Sequence, residues 1–159
     1  MTSIRTRTQP EVTRIEEALA DLLRLTGSVR VHEARMNMAG LRASRTQLGF
    51  LGWLAERGPT PVSKLAKWAD VSQPAASRAL SHLVAEGLVA GSTDGSDGRV
   101  NLMRLTPKGL RARIRVLDLM RMQLSSALSD MSPVDRVKLA DLLAQLVKGL
   151  RADRTTEGA

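Results

Sequence analysis

Residues 71–106, VSQPAASRALSHLVAEGLVAGSTDGSDGRVNLMRLT, change from a helical to a strand-like pattern within one segment. The first part has Ser72 as a helix N-cap, Pro74 in the first turn and Gly87 as the stop. The second part contains two runs rich in Val, Leu and Thr on either side of a glycine-rich stretch, where Asp-Gly is a strong hairpin signal. We therefore predict a helix followed by a two-stranded hairpin with its tip near residues 94–98.

A short helix is predicted immediately before this segment. PVSKLAKWAD, residues 61–70, opens with Pro61 and Ser63 and is followed almost without a linker by the helix that starts after Ser72. Further upstream, Ser44 and Gln47 form a capping-box pattern in front of a helix that stops at Gly58. Two short helices joined by a tight turn predict a helix-turn-helix.

Long amphipathic helices are predicted at both ends of the chain. From Glu11 to about Met36 apolar residues recur at helical spacing, which predicts one long helix. A helix from Lys108 to about Leu128 and a last one starting at Ser132-Pro133 each carry an apolar stripe. Three such stripes exceed what a small core can bury, so the sequence predicts a homodimer.

Composition limits the classes of function. The 159 residues carry a net charge of +8 spread evenly along the chain, and no apolar run approaches the roughly 18 residues of a membrane span. Because no secretion signal is recognisable, we expect a cytoplasmic protein without a membrane partner. The chain has no cysteine, and its two histidines are fifty positions apart without a carboxylate cluster, so no metal site and no cofactor are predicted. With no nucleophile–base pair or phosphate-binding loop, we expect no enzymatic activity.

Three segments resemble the MarR family of winged helix-turn-helix transcription regulators. They are RGPTPVSKLA, residues 57–66; ASRALSHLVAEGLV, residues 76–89; and the wing pattern formed by Asp97, Arg99, Met103, Leu105 and Thr106. The resemblance covers nearly the whole chain and implies a mainly α fold with a small β-hairpin wing, in which a winged helix-turn-helix is joined to a helical dimerisation region. Asp70 stands in the turn where the family usually has glycine, and Asp tolerates a left-handed conformation better than most residues.

The resemblance and the helical pattern together divide the chain into five segments. We expect a disordered basic tail at 1–10, an N-terminal dimerisation helix at 11–40, the DNA-binding lobe at 41–106, the C-terminal dimerisation helices at 107–150 and a frayed tail at 151–159.

The predicted DNA contacts lie on the second helix of the motif and on the wing. In a winged helix the recognition helix enters the major groove and presents polar side chains to base edges. The candidate DNA-binding residues are Ser72, Gln73, Ser77, Arg78, Ser81 and His82 on the helix, with Asp97 and Arg99 on the wing. The opposite face, with Ala76, Leu80, Leu83 and Val84, is predicted to be core. Alternatives stay open for two residues. Arg78 could pair with a neighbouring carboxylate and not contact DNA. Trp68 could be an exposed contact or could fold back onto its own helix.

The resemblance also implies a regulatory ligand. MarR-like proteins bind an effector, often a phenolic or other lipophilic anion, between the dimer region and the DNA-binding lobe; this implies a site near His32, Arg35, Met36 and Met120. The expected function is a ligand-responsive repressor that binds double-stranded DNA at a pseudo-palindromic operator. The alternative is a winged-helix module that binds a protein and has no sequence-specific DNA binding.

Overall fold

The structure is a computed structural model that describes residues 9–93 and 101–156. Its elements, in chain order, are α1 (Pro10–Thr26), α2 (Val29–Ala39), α3 (Arg45–Arg57), β1 (Thr60–Pro61), α4 (Val62–Trp68), α5 (Gln73–Ala85), β2 (Val89–Thr93), β3 (Asn101–Leu105), α6 (Pro107–Ala127) and α7 (Pro133–Thr156). The chain forms two compact units, the first ending at Leu119 and the second beginning at Met120. The predicted fold class, mainly α with a small β-hairpin wing, is confirmed.

The N-terminal end of α3 is fixed by the capping box that the sequence predicted. The Gln47 N–H donates to Ser44 Oγ at 3.2 Å, and the Ser44 N–H donates to Gln47 Oε1 at 2.7 Å. Two N–H groups that the first turn of a helix leaves without partners are thereby satisfied. The helix ends at Gly58, whose φ of 74° favours glycine.

The turn between α4 and α5 depends on a left-handed residue. Asp70 has φ 52° and is the one positive-φ residue other than glycine among the described residues. This conformation reverses the chain sharply, so that the Val71 N–H returns to the Ala66 carbonyl at 3.1 Å. Ser72 then caps α5, accepting a hydrogen bond from the Ala75 N–H at 3.4 Å. The predicted helix-turn-helix is confirmed.

The wing strands pair as the sequence predicted, and a third strand joins them. β2 and β3 are antiparallel, with Val89 opposite Leu105 and Thr93 opposite Asn101. The two-residue β1 pairs with β3, which gives the sheet order β1-β3-β2. The sequence did not predict β1, because two residues show no alternation of polar and apolar positions. Thr60 is buried there, and its Oγ1 accepts a hydrogen bond from Trp53 Nε1 at 3.1 Å.

The main core lies between α3, α4, α5 and the sheet. Its largest fully buried side chains are those of Phe50, Leu51, Leu65, Leu80, Leu83 and Val89. Ala76, Leu80 and Leu83 are buried as predicted, but the prediction for Val84 was wrong, because that side chain is 42% exposed. Successive residues of a helix are turned by about 100°, so Val84 follows Leu83 at the margin of the buried face.

The predicted single helix over residues 11–36 is two helices, and this prediction is corrected. A Cβ atom on Gly27 would lie 2.4 Å from the Leu23 carbonyl oxygen, so only glycine fits where α1 ends. Ser28 is extended, with φ −63° and ψ 131°, and α2 begins after it. Arg45 Nη2 donates to the carbonyls of Gly27 at 2.5 Å and Ser28 at 2.9 Å, which holds this corner against the start of α3.

In the second unit, α7 begins where Ser132 Oγ accepts a hydrogen bond from the Asp135 N–H at 3.1 Å. The helix continues to Thr156, past residue 151, where the sequence predicted a frayed tail. No glycine or proline stands between Gly149 and Gly158, so nothing in the sequence interrupts the helix earlier. Across the described residues no helix is long and apolar enough to span a membrane.

Candidate nucleic-acid interface

One face of α5 carries the polar residues that the sequence assigned to DNA reading. Core residues Ala76, Leu80 and Leu83 occupy the opposite face, which packs on α3 and α4. With about 3.6 residues per turn, the remaining positions share the outer half of the helix. The exposed residues at these positions and at the N-cap are Ser72, Gln73, Ser77, Arg78, Ser81 and His82.

Arg78 lies exposed near the middle of this face. Within residues 9–93 and 101–156, its side chain takes part in neither an ion pair nor a hydrogen bond, so the carboxylate-paired alternative is not what the structure shows. Its guanidinium can donate two parallel hydrogen bonds to the O6 and N7 atoms of guanine, and the Gln73 amide can pair in the same way with adenine. The face therefore offers groups suited to base edges.

A buried contact holds α5 from the side of α3. Gln47 Nε2 donates to the Ala79 carbonyl at 3.1 Å, and the Gln47 side chain is only 8% exposed. The sequence assigned Gln47 a capping role alone, because its partner on α5 is 32 positions away.

Thr106 joins the base of the wing to the start of α6. Its Oγ1 donates to the Gly87 carbonyl at 2.8 Å and accepts from the Gly109 N–H at 3.0 Å. The predicted wing contacts Asp97 and Arg99 lie outside the described residues. Arg104, which the sequence did not single out, is exposed on β3 opposite Ala90 and adds a cation to the described part of the wing.

Trp68 packs on α3 and not on its own helix. Its ring centroid is 5.1 Å from that of Trp53, and the ring covers Gly49, where a Cβ atom would lie 2.9 Å from Trp68 Cη2. The side chain is still 46% exposed. Of the two alternatives left open for this residue, exposure is therefore partly realised, whereas folding back onto α4 is not.

A groove of about 470 Å³ lies beside α2 and contains part of the predicted effector set. It is lined by His32, Glu33, Met36, Asn37, Leu41, Arg42, Ala43 and Ser44. His32 Nε2 lies 2.7 Å from the Ala43 carbonyl oxygen, in hydrogen-bonding distance. The structure thus brings His32 and Met36 together, whereas Arg35 and Met120 do not line this groove. Within the described ranges, no group of three His, Cys, Asp or Glu residues is placed to hold a metal ion.

A family comparison finds a match for the segment that contains this interface. The sequence model of the MarR family matches residues 43–100. This segment is therefore similar to the MarR family. The resemblance found in the sequence is confirmed.

Similarity to solved structures extends beyond the matched segment. RV1404 from Mycobacterium tuberculosis has a TM-score of 0.73 at 22% identity, covering 89% of this chain and 95% of its own. A MarR family protein from Bacillus stearothermophilus has a TM-score of 0.72 at 23% identity, covering 91% and 99%. The transcriptional regulator BldR from Sulfolobus solfataricus has a TM-score of 0.60 at 26% identity, covering 89% and 99%. A comparison with curated protein sequences finds no match.

Proposed function

We propose that this protein is a transcription regulator that binds double-stranded DNA as a homodimer, represses from a pseudo-palindromic operator and responds to a small lipophilic or phenolic ligand. The observation that supports DNA binding is the exposed polar face of α5, which presents Arg78 without a protein partner among the described residues. This face lies on the helix that winged helix-turn-helix proteins place in the major groove. We accordingly place the protein in the cytoplasm and propose that it binds DNA without catalysing a reaction.

A homodimer is proposed because the terminal helices expose apolar side chains. α1 has no buried residue, and Leu22, Leu23 and Leu25 each expose half or more of their surface. Apolar surface on this scale is typical of a protein–protein interface. A two-fold dimer presents two recognition helices, which fits an operator with two similar half-sites.

The proposed ligand site is the groove beside α2. It combines the apolar side chains of Met36 and Leu41 with the charged groups of Arg42 and Glu33. Such a mixture suits a ligand with an apolar body and one polar or anionic group. We keep Arg35 and Met120 in the proposed effector set on the strength of the resemblance.

The proposed function is tested by selecting duplexes from a random-sequence DNA pool with the purified protein. We expect enrichment of an inverted repeat, and we expect the logarithm of affinity to fall with the logarithm of salt by roughly 0.9 for each phosphate neutralised. A protein-binding winged helix would enrich no sequence. That result would refute the proposal.

Replacing Arg78 by alanine is expected to weaken binding to the enriched duplex by roughly 1–3 kcal/mol, because a base contact is lost in each bound helix. Binding to a scrambled duplex should change far less, since phosphate contacts supply most non-specific affinity. Fluorescence anisotropy at one salt concentration measures the affinity for each of the two duplexes. Lys67→Ala, which removes an exposed cation from α4, is the control for loss of charge; equal effects of the two variants would show that Arg78 does not read bases.

Replacing Arg99 by alanine is expected to reduce DNA affinity sharply and to remove any preference for A·T pairs flanking the half-sites. The sequence places Arg99 in the wing, and a narrow A·T-rich minor groove favours an inserted arginine. Asp97→Ala should weaken binding less, because Asp97 is proposed to orient the Arg99 guanidinium by a charge-assisted hydrogen bond. Titration of the parent and both variants against operators with A·T or G·C flanks measures these effects. Tighter DNA binding by Asp97→Ala than by the parent would refute the orienting role.

A further inference from the structure

Gln47 uses both ends of its side-chain amide for two different elements. Oε1 accepts from the Ser44 N–H at 2.7 Å and completes the cap of α3, while Nε2 donates to the Ala79 carbonyl of α5 at 3.1 Å. The capping function needs only the oxygen. The bond to α5 is therefore a separate feature of the same residue.

The contact with Ala79 lies directly behind the reading face. Ala79 follows Arg78 in sequence and precedes Ser81 by two positions, so its carbonyl belongs to the turn that carries the central reading residues. The other contacts between α3 and α5 are mainly apolar, through the buried Leu80 and Leu83. Apolar contacts are non-directional and permit small rotations of a helix, whereas a hydrogen bond restricts angle as well as distance.

The free-energy cost of breaking the hydrogen bond between Gln47 and Ala79 favours a single orientation of α5. Gln47 is 8% exposed, so an amide N–H that lost the Ala79 carbonyl would have little access to water. A buried donor without a partner is unfavourable. A rotation or shift of α5 that displaces Arg78 also displaces the Ala79 carbonyl and disturbs its hydrogen bond to Gln47.

We infer that Gln47 is a positioning residue for the recognition helix: its hydrogen bond to Ala79 sets the orientation in which α5 presents Arg78 and its neighbours to base edges. The inference rests on the proposed DNA-binding function. It assigns sequence preference to a residue that touches no DNA.

Two substitutions separate the capping role from the positioning role. Gln47→Glu keeps an oxygen for the Ser44 N–H, because Ser-x-x-Glu is also a capping box, and removes the amide donor to Ala79. Ser44→Ala removes the hydroxyl that caps α3 and leaves the amide of Gln47 in place. Gln47→Met, which removes both functions while retaining an unbranched chain, replaces Gln47→Glu if the buried carboxylate prevents folding.

The experiment measures the ratio of affinities for the duplex enriched from the random pool and for a scrambled duplex of equal length. We expect Gln47→Glu and Gln47→Met to lower this ratio about tenfold, since a loss of about threefold in each half-site multiplies in the dimer. Ser44→Ala should keep the ratio within about twofold of the parent value while lowering the thermal midpoint. Affinity for the scrambled duplex should stay unchanged in every variant. A general loss of folded protein would lower the affinity for both duplexes.

Different results overturn the two proposals. If the parent protein enriches no duplex, the DNA-binding proposal fails and this inference fails with it. If a duplex is enriched but folded Gln47→Glu or Gln47→Met keeps the parent's ratio, only the positioning role of Gln47 is refuted. An equal loss of preference in Ser44→Ala likewise refutes it, because the cap of α3 would then account for the effect.

Discussion

Replacing Gly109 by alanine is expected to destabilise the first unit by about 3 kcal/mol, at the upper end of what overpacking costs. A Cβ atom at this position would lie 2.0 Å from the Leu88 carbonyl oxygen and 2.8 Å from Leu105 Cδ1. The Leu88 carbonyl cannot withdraw freely, because it accepts a hydrogen bond from the Thr106 N–H at 3.1 Å. Either α6 must move away from β2 or this bond must break.

Urea unfolding at one protein concentration measures the effect, since the stability of the proposed dimer would depend on concentration. Gly149→Ala is the matched control: Gly149 lies inside α7 and has no atom within 4 Å of an added Cβ. That variant should be more stable than the parent by about 0.5–1 kcal/mol, because alanine favours a helix more than glycine does. Equal unfolding midpoints for Gly109→Ala and the parent would contradict the close packing of α6 on Leu88.

Replacing Leu142 by glutamate is expected to raise the dissociation constant of the proposed dimer at least a hundredfold. α7 exposes six large apolar side chains, each by at least 44% of its surface: Val134, Val137, Leu142, Leu143, Val147 and Leu150. In a two-fold dimer one substitution places two charges at the interface, and an unpaired buried charge costs several kcal/mol. Sedimentation velocity across a dilution series measures the shift.

Lys148→Gln is the control for this experiment, because it changes the charge of the same helix by one unit in the same direction. Lys148 is exposed and, at about 100° per residue, lies about 120° around the helix from Leu142. We expect its dissociation constant to stay within about threefold of the parent value. A parent protein that sediments as a monomer at micromolar concentration would contradict the proposed dimer, and with it the proposal that the terminal helices form its interface.

Local signals in the sequence predicted most element boundaries of the helix-turn-helix segment. The caps at Ser44 and Ser72 and the stops at Gly58 and Gly87 depend on residues within one turn, so the pattern alone locates them. The same reasoning missed the break at Gly27, because the apolar spacing on either side continues across it. There the helix is interrupted at Ser28, whose backbone is extended with ψ 131° although Gly27 still donates to the Leu23 carbonyl.

Features that join distant parts of the chain were not predictable from spacing. β1 exists because Thr60 and Pro61 lie opposite Met103 and Leu102 of β3, more than forty positions later. The exposed polar face of α5 was predicted correctly, since helical periodicity is a local property. The hydrogen bond that orients this face was not, because Gln47 and Ala79 meet only in the folded protein.

The placement of Pro61 in β1 has a consequence for aggregation. β1 is an edge strand, and an exposed edge can pair with the strand of another molecule. Proline has no N–H to donate, and a strand of two residues offers too few backbone groups to nucleate such a pairing. Growth of an intermolecular sheet is therefore blocked on this side of the lobe, which leaves β2 as the edge at which strands from two molecules can join.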